Sequence, residues 1–503
     1  MEILDQAIRN DIMRDTGNIV VSASAGSGKT TIMIDKMKQV LDNTIDHKIV
    51  AAITFTNKAA SEIKKKAIEI NIQKEFVTMT NDAFIEQFII RPFITDTYGI
   101  EYKDNFTIDY THNFDNYKKG MDSIKFNGVL GTFYNIKRNF KFQLAYDILK
   151  KNKAASEYLQ AKFSTIFLDE YQDSDLDMHH LFMYLKNELK LNIFIVGDAK
   201  QAIYLWRGAQ RNIFELLNQD DINYYELIHN FRSHEEIVNY SNLIHNSDYF
   251  NFNYNQPVNH VIHCTTNNFV SSFSQMIEDG YIDYSEEIVI IINRNNVALN
   301  CTEKLNSSGY NFQFIPRTPI DDNTPNSYLL RQLACYILDD NFSIYDLIEN
   351  INVDARLQTV KTLEDIIKKL KSKTKLDQSL LFATLKKVAE FLEESFTHDE
   401  LQLFFNTINN NQYHVAFISS DNIHKVMTVF ASKGLEFNQV ISFSNYYNLL
   451  SKEERNNHYV CVTRAENKFI MIDNQINYQE IIIDEGRKQG ITDSIYLYKK
   501  LTY

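Results

Sequence analysis

The segment NIVVSASAGSGKTT, residues 18–31, constrains the fold of this chain more than any other. An apolar, β-branched run ends in a Gly-rich turn, and the pattern beyond it predicts an amphipathic helix over Thr31–Leu41. A strand that feeds a helix through so tight a turn is the opening unit of an α/β layer built on a parallel sheet. The backbone N–H groups of Ala25, Gly26, Ser27 and Gly28, together with the helix N-terminus, form a cradle for phosphate oxygens. Lys29 can reach the β- and γ-phosphates, Thr30 offers its hydroxyl to Mg²⁺, and Thr31 completes the nucleotide-binding turn. The strict pattern has Gly where Ala23 stands, a relaxation that still admits the turn. The segment implies that the chain binds a nucleoside triphosphate.

The rest of the chain alternates short β-branched runs with long amphipathic stretches, the pattern of α/β units around parallel sheets. Buried strands are expected at Ile19–Ser22, Val50–Phe55, Ile166–Asp169 and Ile193–Val196. A second set falls at Val261–Cys264, Ile288–Ile292, Met427–Phe430, Val440–Phe443 and Phe469–Ile472. Each set suffices for one doubly wound core. Two mainly helical stretches interrupt them: an aromatic-rich one after Asp82, and a lysine-rich one whose residues 362–395 read as a helix–turn–helix pair. The expected boundaries are 1–81 and 163–250 for the first core and 82–162 for its insertion. The second core takes 251–320 and 421–503, with its insertion at 321–420.

At 503 residues, 44% hydrophobic and 23% charged, the chain can bury a sizeable core. No apolar run approaches the roughly 20 residues needed to span a bilayer, and Met1–Asn10 lacks the pattern of a signal peptide. A cytoplasmic protein with no membrane partner is expected. Cys264, Cys301, Cys335 and Cys461 show no paired spacing, which argues for reduced core thiols rather than a metal knuckle or a disulfide framework. The net charge of −13 does not exclude nucleic acid, because binding follows local charge. The positives cluster at residues 64–66, 118–119, 137–138, 150–153 and 361–375.

Two further motifs carry chemistry. TIFLDEYQDSD ends an apolar strand in adjacent carboxylates, Asp169 and Glu170. One can help hold Mg²⁺ while the other takes the proton of an attacking water. NIFIVGDAKQAIYLW ends its strand in Gly197-Asp198 with Gln201 three residues on. An amide there can donate to a γ-phosphate oxygen and accept from water.

With ITFTNKAASEI, HNFRSHEEI, VFASKGLEF and YVCVTRAENK, these segments occur in the order of the motifs of UvrD/Rep helicases, and the whole resembles that family of superfamily 1. The matches run from Gln6 to about Lys468. The resemblance implies two RecA-like P-loop cores, parallel sheets flanked by helices, each with an inserted mainly helical subdomain. It implies an ATP-dependent, DNA-stimulated motor that translocates 3′→5′ with ATP and Mg²⁺. Residue by residue, Gln6 is similar to the family's adenine-reading glutamine. Lys29 serves phosphate, Thr30 and Asp169 hold the metal, Glu170 serves the water, and Gln201 senses the γ-phosphate. Phe231 would stack on adenine and Glu436 would contact ribose. Arg232 and Arg464 resemble arginine fingers, planar cations that stabilise transition-state charge. Phe55, Tyr204 and Trp206 resemble base-stacking aromatics, which suit a motor that must step over any sequence. Asn57, Lys58 and Arg207 are phosphate or coupling contacts on the same resemblance.

The chain departs from the family at two places. Asp82 stands in TNDA where the family has a DNA-proximal His, and Phe430 replaces another His. A carboxylate near phosphates would repel them, so a different DNA path over the first insertion is expected. In its shortness the chain resembles the helicase-like subunit of the Gabija anti-phage system. That resemblance, one of size and architecture, implies a nuclease partner combining an ATPase with a Toprim domain, and a response to DNA ends. Two readings follow: a motor on single-stranded DNA, or a DNA-end-sensing ATPase that activates a partner nuclease without processive unwinding.

Overall fold

The computed structural model describes residues 3–205, 208–210, 212–217, 221–251, 256–321, 326–351, 357–371, 375–392, 394, 396–418 and 423–503. The chain forms two compact units, one comprising Met1–Ala23, Gly28–Leu227 and Thr318–Phe417, the other Ser24–Ser27, Ile228–Arg317 and Ile418–Tyr503. Among the described residues no helix is long and apolar enough to cross a membrane.

In the first unit the strands are β1 (Asn18–Ala23), β2 (Ile49–Thr54), β3 (Phe76–Thr80), β4 (Thr107–Phe114), β5 (Val129–Phe133), β6 (Phe163–Leu168), β7 (Asn192–Gly197) and β8 (Ile222–Leu227). Six of them form one sheet in the order β3-β2-β6-β7-β1-β8. Its pairs are all parallel, with Ile19 opposite Phe194 and Ile53 opposite Leu168. Both faces are buried. Ile49, Ala51 and Ile53 of β2 enter one apolar layer, while Val50 and Ala52 enter the other. That is the period-2 consequence of a strand covered on both sides.

The sheet follows the sequence at its centre and departs from it at its edges. All four strands expected in this half lie in it, whereas the edge strands β3 and β8 were not anticipated. The aromatic-rich insertion is mainly helical, as expected, and also holds a separate two-stranded parallel sheet of β4 and β5. Phe114, Phe133 and Phe140 pack edge-on around it, with centroids 4.7–5.6 Å apart. Aromatic rings favour such edge-to-face contacts, and this cluster continues the apolar layer on one face of the six-stranded sheet.

Residues of the second insertion belong to this unit by contact. The helices Ser327–Leu338, Ile344–Asn350, Leu357–Lys371, Gln378–Leu392 and His398–Ile408 share an apolar core that includes Leu330, Leu363, Ile367, Leu385 and Phe404. The first of these helices packs on the Asn57–Glu69 helix and the last on β4. The expectation assigned 321–420 to the second core. In sequence the segment does interrupt that core, but its packing is with the first unit.

The second unit holds β9 (Val261–Thr265), β10 (Ile288–Ile292), β11 (Phe312–Ile315), β12 (His424–Thr428), β13 (Phe437–Phe443), β14 (Ala465–Asp473) and β15 (Lys499–Thr502). They make one parallel sheet, ordered β11-β12-β10-β13-β14-β9-β15. The unbroken IVIII of β10 is wholly buried at its centre. The unanticipated strands, β11 and β15, are again the edges. The expected strand Met427–Phe430 is corrected: β12 ends at Thr428, whose hydroxyl accepts from the Ala431 N–H at 3.3 Å and caps the helical turn Val429–Ser432. Phe430 therefore lies on a helical turn. All four cysteines are free thiols.

Candidate active site

In the first unit, β1 runs toward the phosphate loop and the Lys29–Asn43 helix leaves it. Gly28 caps that helix at φ +78°, in the left-handed region that glycine enters without penalty. No side-chain hydrogen bond from Gly28 caps the helix, and its first turn holds no acidic residue of its own. The start of the helix suits a phosphate, with Thr30 and Thr31 in the first turn. Lys29 Nζ lies 3.5 Å from Glu170 Oε1.

The carboxylates sit where β6 ends. The Asp169 N–H donates to the Ile53 carbonyl at 2.9 Å, carrying the β2–β6 pairing one residue further. Asp169 is only 5% exposed. Burial, reinforced by the neighbouring Glu170 charge, pushes its carboxyl up to about 7. Glu170 adopts φ +52°, a conformation a non-glycine residue holds only when its surroundings impose it. The Glu170 N–H donates to Asp169 Oδ1 at 2.9 Å.

One side chain that the sequence reading passed over organises this corner. Gln172 is fully buried; its amide Nε2 donates to Glu170 Oε2, and its Oε1 accepts from the Asp198 N–H at 3.0 Å. Asp198 in turn accepts from Gln201 Nε2 at 3.0 Å and from the Lys200 N–H at 3.1 Å. A continuous polar chain thus joins Glu170, Gln172, Asp198 and Gln201. Gly197 leaves room for it: a Cβ there would stand 2.4 Å from Gln172 Oε1. The only sequence signal for Gln172 is its place inside the acidic motif.

The donor set fits Mg²⁺. Among the described residues no group of three or more His, Cys, Asp or Glu could hold a metal by itself. Mg²⁺, however, is ordinarily bound through one or two protein oxygens plus substrate phosphates. A buried carboxylate with a raised pKa, Asp169, and the hydroxyl of Thr30 supply that partial set.

Gln6 is exposed on the Gln6–Arg14 helix, its amide donating to Asn10 Oδ1 at 3.1 Å. Of the residues expected to meet nucleic acid, Phe55 and Tyr204 are half-buried. Asn57 begins the Asn57–Glu69 helix; its side chain and that of Lys58 lie outside the described residues, as do Trp206 and Arg207 entirely. Asp82 does not present a bare charge: Lys141 Nζ, itself 4% exposed, lies 3.8 Å from Asp82 and 3.5 Å from Glu86. A buried cation therefore offsets the carboxylate that replaces the family's His.

In the second unit, Gly26 has φ +72° and the Ala25–Gly26 peptides are gripped by side chains and backbone from the 230s and by Tyr459. Phe231 is 55% exposed, with the His229 ring edge-on at 4.5 Å. Arg232 and Glu436 are brought together, NH1 to Oε1 at 2.6 Å, and Arg232 NH2 donates to the Thr463 carbonyl at 2.5 Å. Arg464 is 2% exposed and donates to the carbonyls of Val460 at 3.0 Å and Leu435 at 2.8 Å. Both arginines expected to act on phosphate are thus engaged within their own unit. Phe430 lies under the Arg317 guanidinium, 5.5 Å from its ring centroid.

Two parallel α/β sheets, a phosphate loop and an adjacent acidic pair, Asp169 buried and Glu170 partly exposed, define a helicase-type ATPase of the UvrD/Rep class. Consistent with this, residues 4–93 and 89–221 match the family of the UvrD/REP helicase N-terminal domain. Over 495 residues the chain is 42% identical to the Gabija protein GajB of Bacillus cereus (strain VD045), covering 97% of this chain and 100% of that protein. The chain belongs to the GajB family of UvrD-like helicases. It is also 30% identical over 277 residues to the ATP-dependent DNA helicase PcrA of Staphylococcus aureus (strain Mu50 / ATCC 700699), covering 45% of this chain and 37% of that one. A probable DNA helicase of Mycoplasma pneumoniae is 27% identical over 294 residues, covering 48% and 55% respectively.

Proposed function

We propose that the chain couples ATP hydrolysis to movement on DNA, 3′→5′, as the motor subunit of an anti-phage complex whose partner is a nuclease. The arrangement around Glu170 carries this reading: a carboxylate held in a left-handed turn, anchored by Gln172 and facing Lys29. In this reading Lys29, with the N–H groups from Ala25 to Thr31, holds the triphosphate. Gln6 reads the adenine, Phe231 stacks on it and Glu436 takes the ribose. Thr30 and Asp169 hold Mg²⁺, which when bound neutralises phosphate charge. Glu170 accepts the proton of the attacking water while Gln201 orients it. Arg232 and Arg464 leave their carbonyl and carboxylate partners to meet the γ-phosphate. Phe55, Asn57, Tyr204, Trp206 and Arg207 form the track for single-stranded DNA.

One observation favours a gated version of this activity. Arg464 is buried on two carbonyls and Arg232 is paired with Glu436. An ATPase whose transition-state cations are engaged in this way turns over slowly until something releases them. That suits a subunit which senses DNA ends and signals to a nuclease.

The deciding experiment measures ATP hydrolysis by the purified chain alone, with single-stranded DNA, with blunt duplex and with 3′-tailed duplex. Strong stimulation by any single strand, with separation of the tailed duplex, supports the autonomous motor. Turnover that appears only with DNA ends or a co-purifying nuclease supports the gated sensor, and no hydrolysis under any condition refutes both.

A further inference from the structure

Two side chains given no role above hold the phosphate loop in a closed circuit of hydrogen bonds. Asn230 uses its amide on two sides. Nδ2 donates to the Ala25 carbonyl at 2.9 Å, and Oδ1 accepts from the N–H groups of Arg232 and Ser233, both at 2.7 Å. Only one orientation of an amide satisfies a carbonyl on one side and two N–H donors on the other. Beside it the Phe231 N–H donates to the Gly26 carbonyl at 2.9 Å. A Cβ on Gly26 would stand 2.7 Å from the Asn230 amide atoms, so the loop and this side chain are in direct contact.

Tyr459 closes the circuit from the other side. Its ring is 3% exposed, and its hydroxyl accepts the Ala25 N–H at 3.1 Å. Its own carbonyl accepts the Thr463 hydroxyl at 2.7 Å. Thr463 then takes Arg232 on its carbonyl, at 2.5 Å, and Arg464 on its hydroxyl, at 3.3 Å. Followed round, the path runs from Ala25 through Asn230, Arg232, Thr463 and Tyr459 back to Ala25. The C=O of Ala25 is thus tied to Arg232 through Asn230, and its N–H to both Arg232 and Arg464 through Tyr459 and Thr463. The loop cannot change its backbone at Ala25 without disturbing both.

We propose that Asn230 and Tyr459 are positioning residues that make the phosphate loop and the two arginines, Arg232 and Arg464, rearrange as one. Neither residue touches the reacting atoms. Their work is to convert a change in the Ala25–Gly26 backbone, the kind an arriving phosphate makes, into release of the arginines. The inference rests on the ATPase reading and adds to it the residues through which nucleotide binding is felt.

The test is steady-state ATP hydrolysis by the full chain, with saturating DNA, for Tyr459→Phe, Asn230→Asp and the double variant. Tyr459→Phe keeps the ring and removes the acceptor for Ala25. Asn230→Asp keeps the acceptor for Arg232 and places an oxygen against the Ala25 carbonyl. Each single variant should lower kcat about three- to tenfold, the scale of one buried hydrogen bond, with KM for ATP changed less than about twofold. The double variant should be no slower than the slower single one, because either change opens the same circuit. A merely structural role would lower the melting temperature and leave kcat of the folded protein unchanged. Wild-type kcat in either folded single variant, or effects that multiply in the double variant, overturns the proposal. Should one variant fail to fold, the other alone decides it. If the wild type does not hydrolyse ATP, or Lys29→Ala hydrolyses it as fast, the ATPase reading fails instead.

Discussion

Replacing Gln172 by Met tests whether the acidic corner is a built catalytic site or an incidental cluster. Met matches the length and shape of Gln but can neither donate to Glu170 nor accept from Asp198. The Asp198 N–H, bonded at 3.0 Å in a fully buried setting, would be left without an acceptor. That costs about 1–3 kcal/mol. The Glu170 carboxylate would lose an anchoring donor, but its side chain is 31% exposed and water can replace part of the bond. Unfolding stability should therefore fall by about 2 kcal/mol, dominated by the orphaned N–H. Catalysis should suffer more than binding, since a base displaced by an ångström costs up to roughly a hundredfold in rate. The assay pairs urea denaturation with ATP kinetics and nucleotide binding. We expect kcat to fall roughly ten- to a hundredfold with nucleotide affinity retained. Gly197→Ala should produce the same phenotype from the opposite side, because its Cβ would stand 2.4 Å from Gln172 Oε1. Wild-type kcat in a folded Gln172→Met protein would show that Glu170 needs no anchor, and the argument from the polar chain would fall.

Three other outcomes are expected. Glu170→Gln should keep ATP binding and lose turnover; near-normal hydrolysis would remove Glu170 from the base role. Trp206→Ala should weaken affinity for single-stranded DNA by about 1–3 kcal/mol, the value of one stacked base, with basal hydrolysis maintained; fluorescence anisotropy on a labelled oligonucleotide reads this directly. His458, buried between Tyr478 and His245, is held down to about 3 chiefly by burial. Below its ordinary value near 6.5 the unfolded chain takes up a proton that the native site refuses. Its stabilising contribution is thus complete above about pH 6.5 and is lost as pH falls, at about 1.4 kcal/mol per unit. The stability gap between wild type and His458→Gln should narrow by that slope between pH 6 and pH 4, and a pH-independent gap would contradict it.

The interior strands were legible in the sequence and the edge strands were not, for one reason. β2 and β10 are buried on both faces and read as continuous apolar runs. The overlooked β3, β8, β11 and β15 are the outer strands of their sheets, and in FVTMT, INYYEL and KKLT polar residues interrupt the run. A strand paired on one side needs less apolar surface, so its signal fades. The site divides in the same way. Groups carrying the charge or cradle of the chemistry, such as Lys29, Asp169 and Glu170, stand in spaced motifs. Groups that only orient them act through long-range contacts that spacing does not encode: Asn230 reaches Ala25 across 205 positions and Tyr459 across 434. Asp82 shows the same limit, since its repulsive reading neglected Lys141, brought in from another helix.

The allocation of Thr318–Phe417 to the first unit has a consequence for biosynthesis. A ribosome releases the chain from its N-terminus at roughly 5–20 residues per second, yet the first unit gains its last residues only when position 417 has emerged. By then Ile228–Arg317 of the second unit is already outside and waiting for strands β12 to β15. Neither unit can finish before most of the chain has been made. The nascent protein therefore carries a complete six-stranded first sheet together with a second sheet still lacking strands, and a message truncated in this interval leaves unpaired strand edges that are prone to aggregate.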